Sequence, residues 1–406
     1  MKILIIVQDL RVSGTSEGIV SRSFIGKLSH LYPNAVLDVH YFMYYKHEYD
    51  KEILPVNSIT EYLIKRKPSF LLKITNAIYR RVFTKSLYKL FLLNQYKKAI
   101  SKINADAYDL VFVRSAGLEY ETILSLKGLP ILSKAIINFH DPFPLFFDSS
   151  GTGPLTEKDL IDFKAMYSVV QKTFRCTTPS HLLSKDLQLI YGNQKKFYAL
   201  PHQYDKHVFD LSKVTQVRKK QKPISISYHG GLQFGRNIDI LIDAYVALIR
   251  KNKLILEQSE LVLRLKSSEN NRLKEKYKAF DTIHILDSLD FSNSANEQKE
   301  EADIIVLIES VLDYSNILLG KAPFVASLDK PVLALLPKVC ELRTIINDDK
   351  YIATSNDQID IAIKLEALIV SCIDNKEIVA SFGDYFSEFQ FKDNMDFIID
   401  FGSGND

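Results

Sequence analysis

The chain has 406 residues, of which 46% are hydrophobic and 25% are charged, and its formal net charge is +3. This length exceeds one ordinary hydrophobic core and predicts two domains of about 200 residues each, while the composition argues against a largely disordered chain. Three distant cysteines without C-x-x-C spacing (Cys176, Cys340 and Cys372) argue against a disulfide framework and against a zinc site.

The first residues, MKILIIV, argue against export. Their apolar run ends at Gln8, after about five residues, which is too short for a signal peptide. Nowhere does an uncharged apolar stretch approach the roughly 20 residues that span a bilayer. We therefore expect a cytoplasmic protein with reduced thiols.

The N-terminal half has the pattern of a parallel α/β sheet. A buried strand at 2–7 is followed by a glycine-containing loop at 13–18, a helical pattern at 19–28 and a strand at 35–41. Further strands are predicted at residues 109–113, 135–139, 173–178 and 197–200.

The pattern restarts after residues 214–223, a polar and basic segment that ends in proline and is typical of a connection between domains. The restart consists of a strand at 224–228, a turn at Gly230-Gly231 and a helix at 239–251. Further strands are predicted at residues 261–265, 283–286, 304–308 and 331–335. We thus predict domains at 1–205 and 223–385, and a C-terminal segment at 386–406 that could pack back on the first domain.

A basic and apolar stretch lies in the first half. No acidic residue occurs between Tyr62 and Ala105, and from Phe70 onward apolar residues recur three and four apart. The same window holds eleven basic residues: Lys65, Arg66, Lys67, Lys73, Arg80, Arg81, Lys85, Lys89, Lys97, Lys98 and Lys102. We favour contact of residues 65–102 with an anionic membrane surface, which would make the protein peripheral on the inner face of the cell membrane.

Two other interpretations of this stretch stay open. The first is a solvated basic face whose apolar side belongs to the core. The second is nucleic acid, which we do not expect as a partner because the helices carry many large aliphatic residues and match no nucleic-acid module.

The segment YHGGLQFGRN, Tyr228 to Asn237, indicates an anion site. Its glycines follow a strand and precede a helix, so the backbone can approach a ligand near a helix N-terminus. Arg236 adds a planar donor fork that suits a phosphate. A diphosphate is the ligand that this combination favours.

A second polar group follows the strand at 304–308. Ser315, Asn316 and Lys321 lie near the start of a helical pattern, and Lys321 could offer a further positive charge to a diphosphate. The alternative is an ordinary surface lysine beside a helix cap.

Two further segments follow predicted strands of the first half. NFHDPFP places His140 beside Asp141 at the end of an apolar run, where α/β sheets place ligands and where a histidine can exchange a proton. The alternative is a structural histidine, as most lone histidines are. SGTSEG contains Gly14, Thr15 and Ser16 directly after the first strand. It lacks the G-x-G-x-x-G spacing of a nicotinamide dinucleotide site.

Taken in order, these motifs resemble retaining glycosyltransferases with the twin-Rossmann (GT-B) fold, nearest to the family four-like enzymes of bacterial surface-polysaccharide synthesis. The segments that carry the resemblance span nearly the whole chain: SGTSEGIV, NFHDPFP, TTPSHLLSKDL, LPHQYDKHVF, HGGLQFGRNIDILIDA and SNILLGKAPFVASLDKPVLALL. Each is moderately specific, and their order carries the resemblance.

The resemblance implies an α/β fold of two Rossmann-like domains facing a central cleft. A nucleoside diphosphate sugar would serve as co-substrate, with no cofactor and no metal, and a glycan or lipid-linked glycan would be the acceptor. The implied roles are catalysis at His140, Arg236 and Lys321, donor binding at Gly230, Gly231, Arg236, Ser315, Asn316, Lys321 and Glu341, and acceptor or phosphate contact at Gly14, Thr15, Ser16 and Asp141.

The sequence departs from the family at one point. Many relatives carry two glutamates eight residues apart, one of which commonly binds the nucleotide ribose. Alignment on Lys330 and Pro331 places Asn316 and Phe324 at those positions, and Glu309 lies seven residues out of register. Glu341 could contribute a carboxylate instead.

The expected function is sugar transfer from a nucleoside diphosphate sugar to a glycan acceptor. One alternative is a nucleotide-sugar epimerase of the same fold, which would need neither an acceptor glycan nor the basic helices. The other is a catalytically inert scaffold of a membrane-bound polysaccharide complex, which the missing carboxylate pair keeps open.

Overall fold

The structure is a computed structural model that describes residues 1–83, 85–117, 119–144, 155–233, 235–374 and 381–400. Within these residues the chain forms two compact units. The first comprises the described parts of 1–208 together with 387–400, and the second comprises those of 209–386.

The first unit is built on a parallel sheet of seven strands in the order β3-β2-β1-β4-β5-β6-β7. The strands are β1 (Lys2–Val7), β2 (Val36–Met43), β3 (Ser58–Leu63), β4 (Leu110–Arg114), β5 (Ala135–Asn138), β6 (Arg175–Thr178) and β7 (Phe197–Ala199). The helices up to Val208 are α1 (Ser16–Leu31), α2 (Phe70–Phe83), α3 (Leu87–Ile100), α4 (Glu121–Leu124), α5 (Glu157–Val170) and α6 (His181–Tyr191). Ile3 to Val7 of β1 are buried, as expected of a central strand covered on both faces.

The second unit repeats this plan with six parallel strands in the order β10-β9-β8-β11-β13-β15 and a separate pair, β12-β14. The strands are β8 (Ile224–Gly231), β9 (Ser259–Lys266), β10 (Ile283–Asp287), β11 (Ile304–Ile308), β12 (Tyr314–Ser315), β13 (Val332–Leu336), β14 (Val339–Cys340) and β15 (Ile352–Thr354). Its helices are α7 (Ile238–Lys251), α8 (Lys253–Gln258), α9 (Asn270–Tyr277), α10 (Phe291–Glu301), α11 (Ala322–Ala326), α12 (Glu341–Ile345) and α13 (Gln358–Ile373).

The predicted fold class of two parallel α/β sheets is confirmed. In each sheet the strand order reverses between two neighbours, β1 and β4 in the first unit and β8 and β11 in the second. Parallel sheets bind ligands at the carboxyl ends of the strands beside such a reversal. Most of the candidate residues fall in loops at these ends.

The last helix of the described chain, α14 (Glu388–Ile399), packs on the first unit. The Phe391 ring lies 6.2 Å from the Phe24 ring. Lys27 Nζ lies 2.5 Å from a carboxylate oxygen of Glu388, and the Tyr32 hydroxyl donates to Asp396 at 2.6 Å. The C-terminal helix is therefore held by both apolar and polar contacts.

None of the helices in the described ranges is both long enough and apolar enough to cross a membrane.

Candidate functional site

The candidate donor site of the second unit lies where β8 and β11 end. The last residues of β8 are His229, Gly230 and Gly231, and β11 is followed by Glu309. The loops after the two strands meet, because the Val311 amide donates to the Gly235 carbonyl at 3.2 Å. This edge of the sheet is thus shaped by backbone from both strands.

Lys321 reaches back from the start of α11 to the end of β8. Its ammonium donates to the His229 carbonyl at 2.5 Å and lies 4.5 Å from the centre of the Tyr228 ring. A β-carbon at Gly230 would stand 2.5 Å from Lys321 Nζ, so this approach requires glycine. The structure therefore places the predicted lysine against the predicted glycine turn.

The environment of Lys321 disfavours its positive charge. Part of the residue is exposed, but the protein around the ammonium lowers its pKa to about 7, with the nearby positive charge of Arg236 as a smaller cause. An anion beside these two cations would favour the charged form of Lys321. The arrangement is thus suited to an anionic ligand.

Arg236 lies in the same loop, just before α7. Its Nη1 donates to the Gly231 carbonyl at 3.2 Å, and its buried Nε has no hydrogen-bond partner among the described residues. Asn237 caps α7 by accepting from the Asp239 amide at 3.0 Å. The guanidinium, Lys321 and the first turn of α7 therefore bring positive charge and N–H donors to one glycine turn.

Ser315, Asn316 and Glu341 lie at and just after the short strands β12 and β14. Ser315 and Glu341 are close to Glu309, which also interacts with Arg236. β12 pairs with β14 so that Ser315 lies opposite Cys340, the residue before Glu341. Ser315, Asn316 and Glu341 are 6%, 3% and 1% exposed. The structure thus brings the predicted donor-binding residues of this half into one region, but buries these three side chains.

Glu309 is a polar residue of this region that the motif analysis did not assign to the site. It is 1% exposed, and burial raises the pKa of its carboxyl group to about 7. Neither carboxylate oxygen has a hydrogen bond of ordinary geometry among the described residues, although the Ser315 hydroxyl and the Arg236 charge are close enough to favour ionisation. Its position directly after an apolar strand was the available sequence signal.

His229 lies at the end of β8, and its side chain is held by residues of α10. Its Nδ1 lies 2.8 Å from the Ser294 hydroxyl, and its ring lies next to Glu297, which accepts two hydrogen bonds from Arg264 at 2.8 and 2.7 Å. Burial, together with the charges of Arg264 and Lys321, lowers the pKa of His229 to about 3. The imidazole ring is therefore neutral at physiological pH. The backbone carbonyl of His229 is the group that accepts the hydrogen bond from Lys321.

A second cluster forms in the first unit around His140, two residues after β5. The His140 amide donates to the Ser115 hydroxyl at 3.1 Å, and its Nε2 lies 3.9 Å from Glu17 Oε1. Ligand atoms of Glu17, His140 and Asp141 all lie within 4.8 Å of one another. These groups could exchange protons with a substrate or contact a cation, and the absence of a metal stays a prediction.

His202 joins this cluster from the segment LPHQYDKHVF, in which the sequence analysis gave it no role. Its ring centre lies 4.6 Å from that of His140. Burial, then the charges of His140 and Arg114, hold the pKa of His202 well below its usual value, so this imidazole is neutral. Glu17 and His202 are the two residues of the cluster that sequence reasoning missed.

The loop with Gly14, Thr15 and Ser16 leads directly into Glu17. Gly14 has a φ of +85°, a left-handed conformation that favours glycine. Thr15 is the N-cap residue of α1, but its buried hydroxyl has no partner among the described residues. The structure thus places this loop, Glu17 and His140 at the carboxyl ends of strands of one sheet.

The predicted site residues therefore form two groups, one in each unit. No family model matches the sequence, and a search of curated proteins found no match. Solved structures do resemble it. Sucrose-phosphate synthase from Thermosynechococcus elongatus has a TM-score of 0.64 at 12% identity, with 98% of this chain and 96% of that chain covered.

Two further solved structures extend this comparison. TarM from S. aureus, in complex with fondaparinux, alpha-GlcNAc-glycerol and UDP, has a TM-score of 0.63 at 12% identity over 98% of this chain and 99% of that chain. UDP-GlcNAc 2-epimerase from Neisseria meningitidis, bound to UDP-GlcNAc, has a TM-score of 0.54 at 11% identity over 97% and 99%. These likenesses show that the chain has the twin-Rossmann GT-B fold.

Proposed function

We propose that the protein is a glycosyltransferase that moves a sugar from a nucleoside diphosphate sugar to a glycan or lipid-linked glycan. The observation that carries this proposal is the convergence of Arg236 and Lys321 on the Gly230-Gly231 turn. Two cations beside exposed backbone at the end of a parallel sheet suit a diphosphate. The similarity to TarM with bound UDP agrees with this chemistry.

In the proposed reaction the bond between the anomeric carbon and the donor phosphate oxygen breaks, and a bond from the same carbon to the acceptor hydroxyl oxygen forms with retention. The acceptor proton passes to the leaving phosphate, so no metal and no separate carboxylate base is needed. Arg236 and Lys321 stabilise the negative charge that develops on the leaving group.

Lys321 would respond to the donor itself. Because its pKa is near 7, the Lys321 amine is neutral in a substantial fraction of the protein molecules at physiological pH when no donor is bound. A bound diphosphate raises the pKa of a neighbouring ammonium, so donor binding would take up a proton and complete the cationic site. Glu341, Ser315 and Asn316 would line the nucleoside side, and His140 with Asp141 and the Gly14, Thr15 and Ser16 loop would contact the transferred sugar or acceptor.

The proposed location is the cytoplasm. Cys176 and Cys340 are buried free thiols, and burial raises the pKa of Cys176 to about 12. Buried thiols of this kind are inert and are typical of proteins from a reducing compartment.

Donor binding, the first step of the proposed reaction, is tested by a thermal-shift screen with UDP, GDP, ADP and CMP and with their common sugar conjugates. A ligand that binds only the folded chain raises the melting temperature. The nucleotide sugar that does so is then incubated with glycan acceptors, and glycosylated product is measured. We expect Arg236→Ala to lower turnover about 10² to 10³-fold.

The matched control is Lys251→Ala, an exposed cation at the end of α7. It should leave turnover unchanged. If Arg236→Ala and Lys251→Ala turn over donor at the same rate, Arg236 has no part in the reaction. If no nucleotide shifts the melting temperature, the inert scaffold replaces the enzyme.

The same experiment distinguishes a transferase from an epimerase, which is the second candidate because of the similarity to UDP-GlcNAc 2-epimerase. An epimerase changes the configuration of the sugar in a nucleotide sugar without an acceptor. Epimerised donor formed by purified protein alone would therefore replace the transferase, whereas product formed only with an acceptor supports it.

A further inference from the structure

The helix α2, Phe70–Phe83, stands apart from the rest of the first unit. None of its 14 residues is buried. One face packs against α3, where Asn76 Oδ1 accepts from the Ser86 hydroxyl and the Tyr88 amide, both at 3.2 Å. The half-buried residues Leu72, Asn76 and Tyr79 mark this face.

A different face of α2 is apolar and exposed. At about 100° per residue, its members share roughly one third of the helix circumference: Phe70, Leu71, Ile74, Ile78 and Val82. Their exposed fractions range from 47% for Ile74 to 75% for Phe70. We call these five residues the apolar stripe. Arg81 falls in the same sector near the C-terminal end of the helix, from where its long side chain can extend past the apolar residues.

The interpretation in which the apolar side of the basic stretch belongs to the core is confirmed for α3, whose Leu92, Tyr96 and Ile100 are buried. It is wrong for α2, whose apolar side is exposed. Scattered apolar residues are ordinary on protein surfaces, but a contiguous stripe marks an interaction site. Something other than the core of this unit must therefore cover the apolar stripe.

The charges around the stripe indicate what covers it. Lys73, Arg80 and Arg81 are exposed on the same helix, and none of them makes an ion pair within the described residues. No acidic residue lies between Tyr62 and Ala105 to offset them. The partner should thus be apolar at its centre and negatively charged at its rim.

We infer that α2 lies flat on an anionic lipid surface, with the apolar stripe among the acyl chains and Lys73, Arg80 and Arg81 among the headgroups. An amphipathic helix with aromatic and aliphatic residues on one face and cations beside it binds membranes in this way. A second copy of the chain would bring like charges together, and a nucleic acid would leave the stripe in water. Lipid is the partner that satisfies both features.

This inference does not depend on the transferase chemistry, and neither does its test. The full-length protein is mixed with vesicles of phosphatidylcholine alone or with added phosphatidylglycerol, and the bound fraction is measured by flotation. We expect binding to the anionic vesicles that falls steeply when salt is raised to 0.5 M, because salt screens exposed charges.

Two double variants separate the apolar from the electrostatic contribution. Arg80→Gln with Arg81→Gln should weaken binding about 25-fold, since each basic side chain near an anionic leaflet contributes about fivefold. Ile74→Gln with Ile78→Gln should weaken it about tenfold or more, because both side chains leave the acyl region. These four residues are unburied, so the variants should keep the parent melting temperature.

Matched controls come from the second unit. Ile359 and Ile363 are 73% and 60% exposed and lie four residues apart on α13, a helix whose first three turns carry Asp360 and Glu366 against a single lysine, Lys364. Ile359→Gln with Ile363→Gln should leave vesicle binding unchanged, and so should Lys251→Gln with Lys274→Gln, a pair of exposed cations outside the stretch.

The chain contains no tryptophan, so a single one can report insertion. In Phe70→Trp the fluorescence should shift to shorter wavelength with anionic vesicles. Ile359→Trp, at a site of equal exposure, should not respond. An unresponsive Phe70→Trp overturns the inference, as does vesicle binding that both stripe variants retain in full.

Two other outcomes also overturn the lipid assignment. One is a dimer in sedimentation analysis that Ile74→Gln with Ile78→Gln dissociates while vesicles remain unbound. The other is binding to DNA or RNA oligonucleotides, lost in Arg80→Gln with Arg81→Gln, without binding to vesicles.

Discussion

The carboxyl edges of the two sheets use the same backbone plan for different chemistry. In the first unit, the loops present His140 and His202 next to Glu17 and Asp141. In the second unit they present two cations, Arg236 and Lys321, at a glycine turn. The first edge is equipped to move protons, and the second to hold an anion.

The edge of the second unit also contains ionisable side chains that are shielded from water. The second unit encloses a lysine and a glutamate whose pKa values are both moved to about 7 by burial. Buried charge of this kind destabilises the empty protein and is characteristic of functional sites. The buried charges at the edge of the second unit therefore lower the stability of the empty protein, and they leave groups in place that a bound anion can pair with.

The largest expected effect tests the first edge. His140→Ala should lower kcat about 10² to 10³-fold, because a polar group that contacts the reacting sugar in the transition state is lost. The shift in melting temperature caused by the donor should persist, because the cations that hold the diphosphate lie in the other unit.

The control for this variant is His30→Ala, which removes an exposed histidine near the end of α1. Its kcat should equal that of the parent. A His140→Ala protein with full kcat, or one that no longer binds donor, would show that the division of labour between the two edges is wrong.

Lys321→Met tests the carboxyl edge of the second sheet, because it should lower turnover and raise the stability of the empty protein. Turnover should fall about 10²-fold because a stabilising cation is lost from the leaving group. The empty protein should become more stable below pH 7, because the variant no longer buries an ammonium.

The sign follows from the pKa of Lys321, which is lowered to about 7 in the folded protein from 10.5. Between these pH values the unfolded chain binds the additional proton, so the wild-type free energy of unfolding rises with pH. The advantage of Lys321→Met should thus be largest below pH 7 and fade toward pH 10.5. Equal melting temperatures of both proteins at pH 6 would argue that the ammonium carries no penalty.

Glu309→Gln tests the buried carboxyl group by stability alone. The pKa of Glu309 is raised to about 7 from 4.5, so the folded protein retains a proton that the unfolded chain releases. Wild-type stability should therefore fall as pH rises from 4.5 through 7. The variant should gain up to about 3 kcal/mol over wild type at pH 8, from roughly 1.4 kcal/mol per pKa unit, and much less at pH 5.

Glu257→Gln is the matched control, because its side chain is 55% exposed. Its stability should follow that of the wild type from pH 5 to pH 8. A Glu309→Gln protein with the same behaviour would mean that the carboxyl group at position 309 ionises freely.

The sequence predicts the central strands and two of the four edge strands, β7 and β10, but misses the other two. β1 and β11 are apolar runs whose burial on both faces leaves a plain signal. β3 was missed because its residues at the sheet edge are exposed or half-buried and mix polar with apolar types. β15 was missed because three residues carry too little pattern.

The sites follow the same logic. Glycine turns and cations after a strand can be recognised locally, which is why Arg236 and Lys321 were proposed. Glu17, His140 and His202 are far apart in the chain, and only the strand order brings them together. The burial of Glu309 likewise depends on neighbours that no local pattern describes.

The smallest expected effect concerns the glycine turn itself, where sequence could not tell Gly230 from Gly231. A β-carbon at Gly230 would lie 2.5 Å from Lys321 Nζ, whereas at Gly231 the nearest atom is 3.7 Å away. Gly230→Ala should displace the ammonium and weaken nucleotide binding about tenfold, the loss expected when one charged hydrogen bond is weakened. Gly231→Ala should change it less than twofold.

A double-mutant cycle decides whether Gly230 acts through the lysine. If the methyl group only displaces Lys321, then Gly230→Ala should have almost no further effect in a Lys321→Ala background, and the two losses in binding free energy should not add. Calorimetric titration of the nucleotide into the four proteins measures this coupling. Additive losses would mean that the methyl group acts through the ligand or through the Tyr228 hydroxyl, 2.9 Å from the added β-carbon, and not through Lys321.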